Sequence, residues 1–581
     1  MIQKKTGGQP KRRPQNYRNT RTHQVKKDDT LKIIPLGGME EVGRNMTVFE
    51  YNGDIVIIDM GLQFPEEDMP GIDYIIPNIS YLKGREKDIK AVIFSHGHLD
   101  HIGAAPLLLE KLGYPTIVGR NLTLAMIKHR VEDYKKGASK NLKTVLIKGV
   151  KDKFNFGGFE IDFFQVEHSI MDAVGIILKT KAGTVIHPGD WTMERDTKGN
   201  PKVDYSHLAK LPKPTVLMLE SLGAVDVRPS ASPTVAKKNL TDLVVNAKGR
   251  VIVGAFSSQI ERIGWIFEMV MKSNKKVALD GYSMKMNVEI AKKLGYLKIN
   301  KNSLIKVDQI DNYPDNKVVV LCTGSQGEGN AVLSRILEGG HKSIKLRKMD
   351  TVILSSSIIP GNERTIQRLK DNLYRQCDNV VHNTIMDVHV SGHANKQDIV
   401  DMLKITKPDY FIPVYANHYM LKEAAKLAKG LGYKDKQIFV ADNGQIMEIN
   451  KRMSRLTNRK VPSDYVFVDG LGVGDISDVV LRDRQTMSGD GMLVLIATIE
   501  RKTSRLINSP DIISRGFVYM KGNRKLIEDT RNMVKKIIGE NTKKSELDES
   551  FVKDQLRNKV GQFLFQKTHR RPMVLPVIIQ V

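Results

Sequence analysis

The residues most able to do chemistry stand together in Ser95-His96-Gly97-His98-Leu99-Asp100-His101. Three imidazoles and one carboxylate fall within six residues, directly after the apolar run Ala91–Phe94. His96 and His98 alternate and can grip one ion. Asp100 and His101, a step further on, can reach a second. A mixed imidazole and carboxylate set suits Zn²⁺ or a similar transition metal. The only cysteines are Cys322 and Cys377. With only two cysteines a disulfide framework is excluded, and a CxxC-type zinc site is impossible.

A ligand run of this kind needs rigid elements to hold it. Leu31–Pro35, Met46–Tyr51 and Asp54–Asp59 read as short strands with Gly turns between them. Thr144–Ile147, Phe159–Gln165, Val174–Leu178 and Thr184–Ile186 follow as strands, with helices at Gly103–Lys111 and Leu122–Lys135. From about Val227–Pro233 strands alternate with helices. Val251–Ala255, Lys276–Leu279, Val318–Leu321 and Thr351–Leu354 are the strands; Ser258–Lys272 and Asn287–Leu294 are helical. That rhythm is α/β with a mostly parallel sheet. A helix (Asn395–Leu403) and a strand (Tyr410–Val414) then return the chain to the first unit. The expected divisions are a basic disordered tail at 1–29, a first domain at 30–228 resumed at 385–449, and an inserted α/β domain at 229–384. A Gly- and Asp-rich linker (450–484) and a small C-terminal domain (485–581) complete the chain. In the last, Met492–Glu500, Arg524–Ile538 and Val574–Val581 read as strand, helix and strand.

At 581 residues the chain has ample length for several cores. With 41% hydrophobic and 27% charged residues it is globular in composition. It carries 91 Lys and Arg against 65 Asp and Glu, a surplus of 26. Such a surplus points to a polyanionic partner. The first 27 residues alone hold nine Lys or Arg and no acid. No apolar run reaches the ~18 residues of a membrane helix. The N-terminus lacks the apolar core of a secretory signal. The expectation is a cytoplasmic protein with no membrane association.

The HxHxDH run is the signature of the metallo-β-lactamase fold, and the chain resembles it further. That resemblance implies an αββα sandwich in which His168 and Asp190 join His96, His98, Asp100 and His101 as ligands, with Asp190 bridging two ions. It implies that Asp59 orients the site and leaves His187 as a structural neighbour. The inserted domain resembles the β-CASP insertion of nucleic-acid-processing members. Glu220, in Leu217-Met218-Leu219-Glu220-Ser221, matches its first motif, and Ser391-Gly392-His393 the second. The third motif departs: Tyr415, in Pro413-Val414-Tyr415-Ala416-Asn417-His418, stands where a histidine ligand is usual. His418 is a candidate to compensate. The match extends to Pro35-Leu36-Gly37-Gly38, Cys322-Thr323-Gly324-Ser325-Gln326-Gly327-Glu328, Pro360-Gly361-Asn362-Glu363 and Val468-Asp469-Gly470-Leu471-Gly472-Val473-Gly474-Asp475. All of these are similar to bacterial ribonuclease J, from about residue 30 to the end.

The resemblance implies two Zn²⁺, with Mn²⁺ or Mg²⁺ as substitutes, and hydrolysis of RNA phosphodiesters by 5′→3′ exonuclease and endonuclease action. It gives catalytic roles to His393, Glu220 and Asp100. His393 donates a proton to the leaving group or stabilises it, and Glu220 orients His393 or a metal ligand. His389, Val390, Ser391, Gly392 and His393 would line the nucleotide, although His389 reads equally as a packed strand residue. Ser258 and Arg262, in Phe256-Ser257-Ser258-Gln259-Ile260-Glu261-Arg262, would also meet substrate. Asn362, Glu363 and the Gly324–Gly329 loop would line a basic channel. The partners implied are single-stranded RNA, with 5′-monophosphorylated ends favoured, and further copies of the chain in a homodimer or homotetramer. A structural Ca²⁺ near Asp73 and Asp469 is a further implication. The competing expectation, raised by Tyr415, is a catalytically weakened RNA-binding scaffold subunit.

Overall fold

The computed structural model describes residues 29–581 apart from 67, 229–231, 471, 475–477, 504, 519 and 542–547. The basic tail therefore lies outside the described residues, save Asp29, whose carboxylate accepts from the Tyr51 hydroxyl.

Two sheets face each other across the first core. The larger has eight strands in the order Arg455–Lys460, Gln445–Ile449, Leu31–Gly37, Met46–Tyr51, Asp54–Ile58, Ile89–Ile93, Ile117–Gly119, Thr144–Leu146. The smaller has six, in the order Tyr410–Val414, Thr215–Glu220, Thr184–His187, Val174–Lys179, Phe159–Gln165, Lys153–Phe156. Successive strand residues point to opposite faces. Ile33, Phe49 and Ile58 therefore meet Phe159, Ile176 and Val185 of the other sheet. Their neighbours Ile34, Val48 and Ile57 turn outward to the helices Ala105–Lys111 and Asn121–Tyr134. On the far side, Ile177, Ile186 and Leu217 pack under Lys396–Thr406 and His418–Gly430. This is the αββα sandwich. Because both faces are covered, its central strands read as continuous apolar runs.

The insertion leaves after Thr215–Glu220, and the chain comes back through Tyr410–Val414, which pairs parallel with that same strand, Glu220 opposite Val414. Between them lies a six-stranded sheet, all parallel, in the order Leu304–Ile305, Lys276–Asp280, Val318–Cys322, Val251–Ala255, Thr351–Ser355, Asn379–His382. Its carboxyl ends release the loops 256–259, 323–329, 356–363 and 383–393. That edge is where open α/β sheets bind ligands.

The structure differs from expectation at 450–484. Instead of a free linker, Arg455–Lys460 is the edge strand of the large sheet and Val466–Asp469 pairs with Tyr74–Ile76. A helix, Asp478–Asp490, follows. The edge strand reads Arg-Leu-Thr-Asn-Arg-Lys and buries only Thr457, so no apolar alternation betrays it. At the C-terminus Met492–Ile499 lies between Asp511–Arg515 and Met573–Gln580. The helices Arg524–Asn541 and Glu549–Thr568 cover it, burying Val534, Ile538, Val552, Leu556 and Val560.

Candidate metal centre

The strand Ile89–Ile93 delivers Ser95 and His96 to its buried end, and the short helix Leu99–Ile102 presents Asp100 and His101. The chain folds tightly here. A Cβ on Gly61 would lie 1.5 Å from the Asp100 carbonyl oxygen, so only glycine lets the two segments meet. His168 follows the strand Phe159–Gln165, and Asp190 follows Thr184–His187.

The side chains converge in two overlapping groups. His96, His98, His168 and Asp190 form one; Asp100, His101 and Asp190 form the other, each group with its ligand atoms within 4.8 Å of one another. In the first, His98 Nδ1 lies 3.1 Å from His96 Nε2 and 2.9 Å from His168 Nε2. Asp190 Oδ2 is 3.8 Å from His96 Nε2 and 3.9 Å from His168 Nε2. In the second, His101 Nε2 lies 3.2 Å from Asp190 Oδ1 and 3.4 Å from Asp100 Oδ2.

The hydrogen bonds behind these atoms fix which nitrogen is bare. His168 Nδ1 donates to the Gly392 carbonyl at 2.6 Å, so Nε2 keeps its lone pair for the centre. His101 Nδ1 donates to Asp59 Oδ2 at 2.8 Å, which leaves Nε2 inward. Asp59 also accepts from the Ser95 amide and hydroxyl, each at 2.8 Å. Asp59 thus sits behind the ligands and orients them. Bare imidazole nitrogens turned on one another beside a carboxylate are a donor set that fits a divalent transition ion.

For the three imidazoles of the first group the electrostatics agree. Burial, with neighbouring imidazoles, holds His96 well below its usual pKa, His98 at about 4 and His168 at about 3. For His101 burial acts downward, but Asp190, Asp100 and Asp59 outweigh it and raise the group well above its usual value. Burial would lift Asp190, yet His101 and His96 hold it well below the carboxylate range.

At the rim, His393 Nδ1 donates to Glu220 Oε1 at 2.9 Å and lies 3.9 Å from Asp190 Oδ2. Glu220 Oε2 accepts from the Trp191 amide. Burial pushes Glu220 up to about 7, against the pull of His393. Burial would lower His393, but Glu220 carries it to about 9.

Several expected residues lie elsewhere. Arg262 and His389 are both buried and face each other: Arg262 Nη1 donates to His389 Nδ1 at 2.7 Å and to Ser355 Oγ at 2.9 Å. Both side chains are buried at the base of the 388–393 segment. Ser258, Val390 and Ser391 are half-buried, and the Ser391 hydroxyl accepts from the His393 amide. Gln326 ties its loop to Ser357, Ile359 and Asn362, so the 323–329 and 356–363 loops stand side by side. Asp73 accepts from the Gly470 amide and Asp469 from Arg484. They are not among the metal-competent groups found among the described residues. His418 pairs at 2.9 Å with Glu40, in a separate exposed cluster with Asp442.

Tyr415 is buried beside the second group, its ring edge-on to His101 at 5.4 Å. Its hydroxyl lies 2.9 Å from His187 Nε2. The Gly189 amide donates to His187 Nδ1, so Nε2 carries the proton and Tyr415 accepts it. Sequence reasoning missed Asn45, whose amide donates to His101 Nε2 at 2.9 Å. Its only signal is a polar residue just before the strand Met46–Tyr51, after Gly43-Arg44.

Family models match four segments of the chain. They are the Metallo-beta-lactamase superfamily (39–229), the Ribonuclease J, beta-CASP domain (248–373), the Zn-dependent metallo-hydrolase RNA specificity domain (379–441) and the Ribonuclease J C-terminal domain (479–581). Ribonuclease J2 of Bacillus subtilis is 35% identical over 558 residues, 96% of this chain and 100% of that protein. Ribonuclease J 1 of Streptococcus pyogenes is 34% identical over 555 residues, 95% and 98% of the two. Ribonuclease J 2 of Staphylococcus aureus is 32% identical over 558 residues, 96% and 99%. No helix among the described residues is long and apolar enough to cross a membrane.

Proposed function

The chain belongs to the ribonuclease J family of metal-dependent nucleases that hydrolyse RNA phosphodiester bonds, and from that premise we propose a 5′→3′ exonuclease with endonuclease activity. It acts in RNA maturation and decay and leaves 5′-phosphate products. The observation that carries the reading is the meeting of two ligand groups on Asp190, with the His393–Glu220 pair at their rim.

In this reading His96, His98, His168 and Asp190 hold one ion, and Asp100, His101 and Asp190 hold the other. The imidazole-rich first group favours Zn²⁺, with Mn²⁺ or Mg²⁺ as substitutes. Bound ions supply Lewis-acid stabilisation of the phosphoryl charge and acidify the attacking water. Asp59 keeps His101 in the tautomer that faces the centre. Glu220 fixes His393 through Nδ1, so that Nε2 can hold a proton for the departing 3′ oxygen. Loss of the 3′ oxygen leaves phosphate on the 5′ side. Val390, Ser391 and Gly392 offer backbone and hydroxyl groups to an RNA phosphate, while Arg262 and His389 support them from below. Assembly of two or four copies through 485–581 belongs to the same proposal.

The test uses single-stranded RNA with a labelled 5′ monophosphate and added Zn²⁺, Mn²⁺ or Mg²⁺. The wild type should release labelled mononucleotide, and the His96→Ala, His98→Ala double variant should not. Intact RNA bound tightly and salt-sensitively by the wild type would overturn the reading in favour of a scaffold subunit.

A further inference from the structure

Outside the metal centre, the inserted domain carries an open groove of about 530 Å³. It lies between the helices Pro233–Asn246 and Ile260–Lys272, and Lys237, Lys238, Thr241, Asp242, Glu261 and Trp265 line it. Its volume falls in the range of small-ligand sites. Trp265 is half-buried, packed on one side against the core. The buried Arg262 guanidinium lies 5.6 Å from its ring centroid and the Lys237 ammonium 5.9 Å, the outer limit of a cation–π contact. Lys237 is paired with Glu268 at 2.7 Å. Lys238 is exposed on the same helix.

One helix of the groove also carries Arg262, which bonds the segment leading to His393. Arg262, one residue after Glu261, bonds His389, and His389 stands four residues before His393. Glu261 also feels the charges of Glu194 and Lys202 in the first domain. The groove therefore lies within electrostatic reach of the first domain.

We propose that this groove is a single-stranded RNA subsite, in which a base stacks on Trp265 and Lys238 meets its phosphate. The inference rests on the RNA-cleaving reading above and adds a contact outside the metal centre. Stacking on an aromatic ring beside cations is how single strands are held without sequence readout. Asp242 and Glu261 repel phosphate but accept from the exocyclic amino groups of adenine and cytosine, which turns the base toward them. An acidic peptide would meet these two carboxylates unfavourably along its length.

The chain supplies its own reporter. It has two tryptophans, and Trp191 is fully buried. The full chain is titrated, with a chelator blocking cleavage, against a labelled oligoadenylate of about a dozen nucleotides, within the usual span of single-strand sites. Probe anisotropy reports total affinity, and tryptophan emission reports the groove. Saturable quenching is expected in the wild type. Trp265→Ala should weaken binding by about tenfold. Lys238→Ala should reduce the salt slope of log K by about 0.7. Trp265→Phe keeps an aromatic ring against the core and should keep the wild-type Tm while losing the quenching signal. Unquenched binding, with equal affinity in Trp265→Ala, would overturn the subsite and leave the RNA reading intact. Failure of every form to bind the probe would sink the RNA reading and the subsite together. Equal quenching by polyglutamate would reassign the groove to acidic peptides.

Discussion

A backbone carbonyl 224 residues away in sequence sets the tautomer of His168. That makes Gly392 a positioning residue. A Cβ there would lie 2.6 Å from Ser169 Oγ and 2.8 Å from His168 Cε1, so a methyl group must push the imidazole off its ligand position. Gly392→Ala should cut both activity and metal content by ten- to a hundredfold, as losses behind metal ligands do. Metal analysis of the purified variant together with its turnover checks this; full metal occupancy with full turnover would refute it. The same locality explains what could be read in advance. His96, His98, Asp100 and His101 are neighbours in the chain, so their spacing announces them. Asn45 and His101 are 56 residues apart, and His187 and Tyr415 are 228. Such pairings leave no spacing to read. Tyr415 was visible only as a departure from a motif; that it accepts a hydrogen bond from His187 came from the fold.

Among the elements, Glu50 ties three segments together. It accepts from Lys32 on the neighbouring strand, from the Tyr81 hydroxyl and from Arg85. Burial acts to raise its carboxyl, but these three partners prevail and hold it at about 2, against 4.5 for the free group. A depressed carboxylate adds stability that is complete above the unfolded value and is lost as pH falls toward the folded one. Glu50→Gln should therefore cost about 2 kcal/mol near neutrality. The gap to wild type should narrow below about pH 4.5 and close near pH 2. Urea unfolding across that range reads it, and a gap constant with pH would show that the charge contributes nothing. At this scale the sequence was most legible where both faces of a strand are covered: Met46–Tyr51, Phe159–Gln165, Val251–Ala255 and Tyr410–Val414 match their expected bounds. It was least legible at polar edges. Arg455–Lys460 exposes most of its length, and pairing with Gln445–Ile449 rather than hydrophobic pattern makes it a strand. The helix Glu549–Thr568 also went unread, because Val552, Leu556, Val560 and Leu564 give it a narrow stripe of one apolar residue in four.

For the whole molecule the governing quantity is charge. Of the surplus of 26, nine positive charges belong to the first 27 residues, which contain no acid. The metal centre and the Trp265 groove both lie within the described body, so removing the tail should leave the chemistry intact and change only how RNA is gathered. Each phosphate neutralised by a cation on a single strand adds about 0.7 to the salt slope of log K. If three of the nine cations engage RNA, a chain lacking residues 1–27 loses about 2 from that slope. At physiological salt that corresponds to an affinity loss of tenfold or more, while turnover at saturating RNA stays at the wild-type level. Binding measured across a salt series, beside turnover at high RNA, separates the two effects. An unchanged slope would place the phosphate contacts wholly on residues 28–581. A fall in saturated turnover would instead mean that the tail reaches the site where the strand is cut.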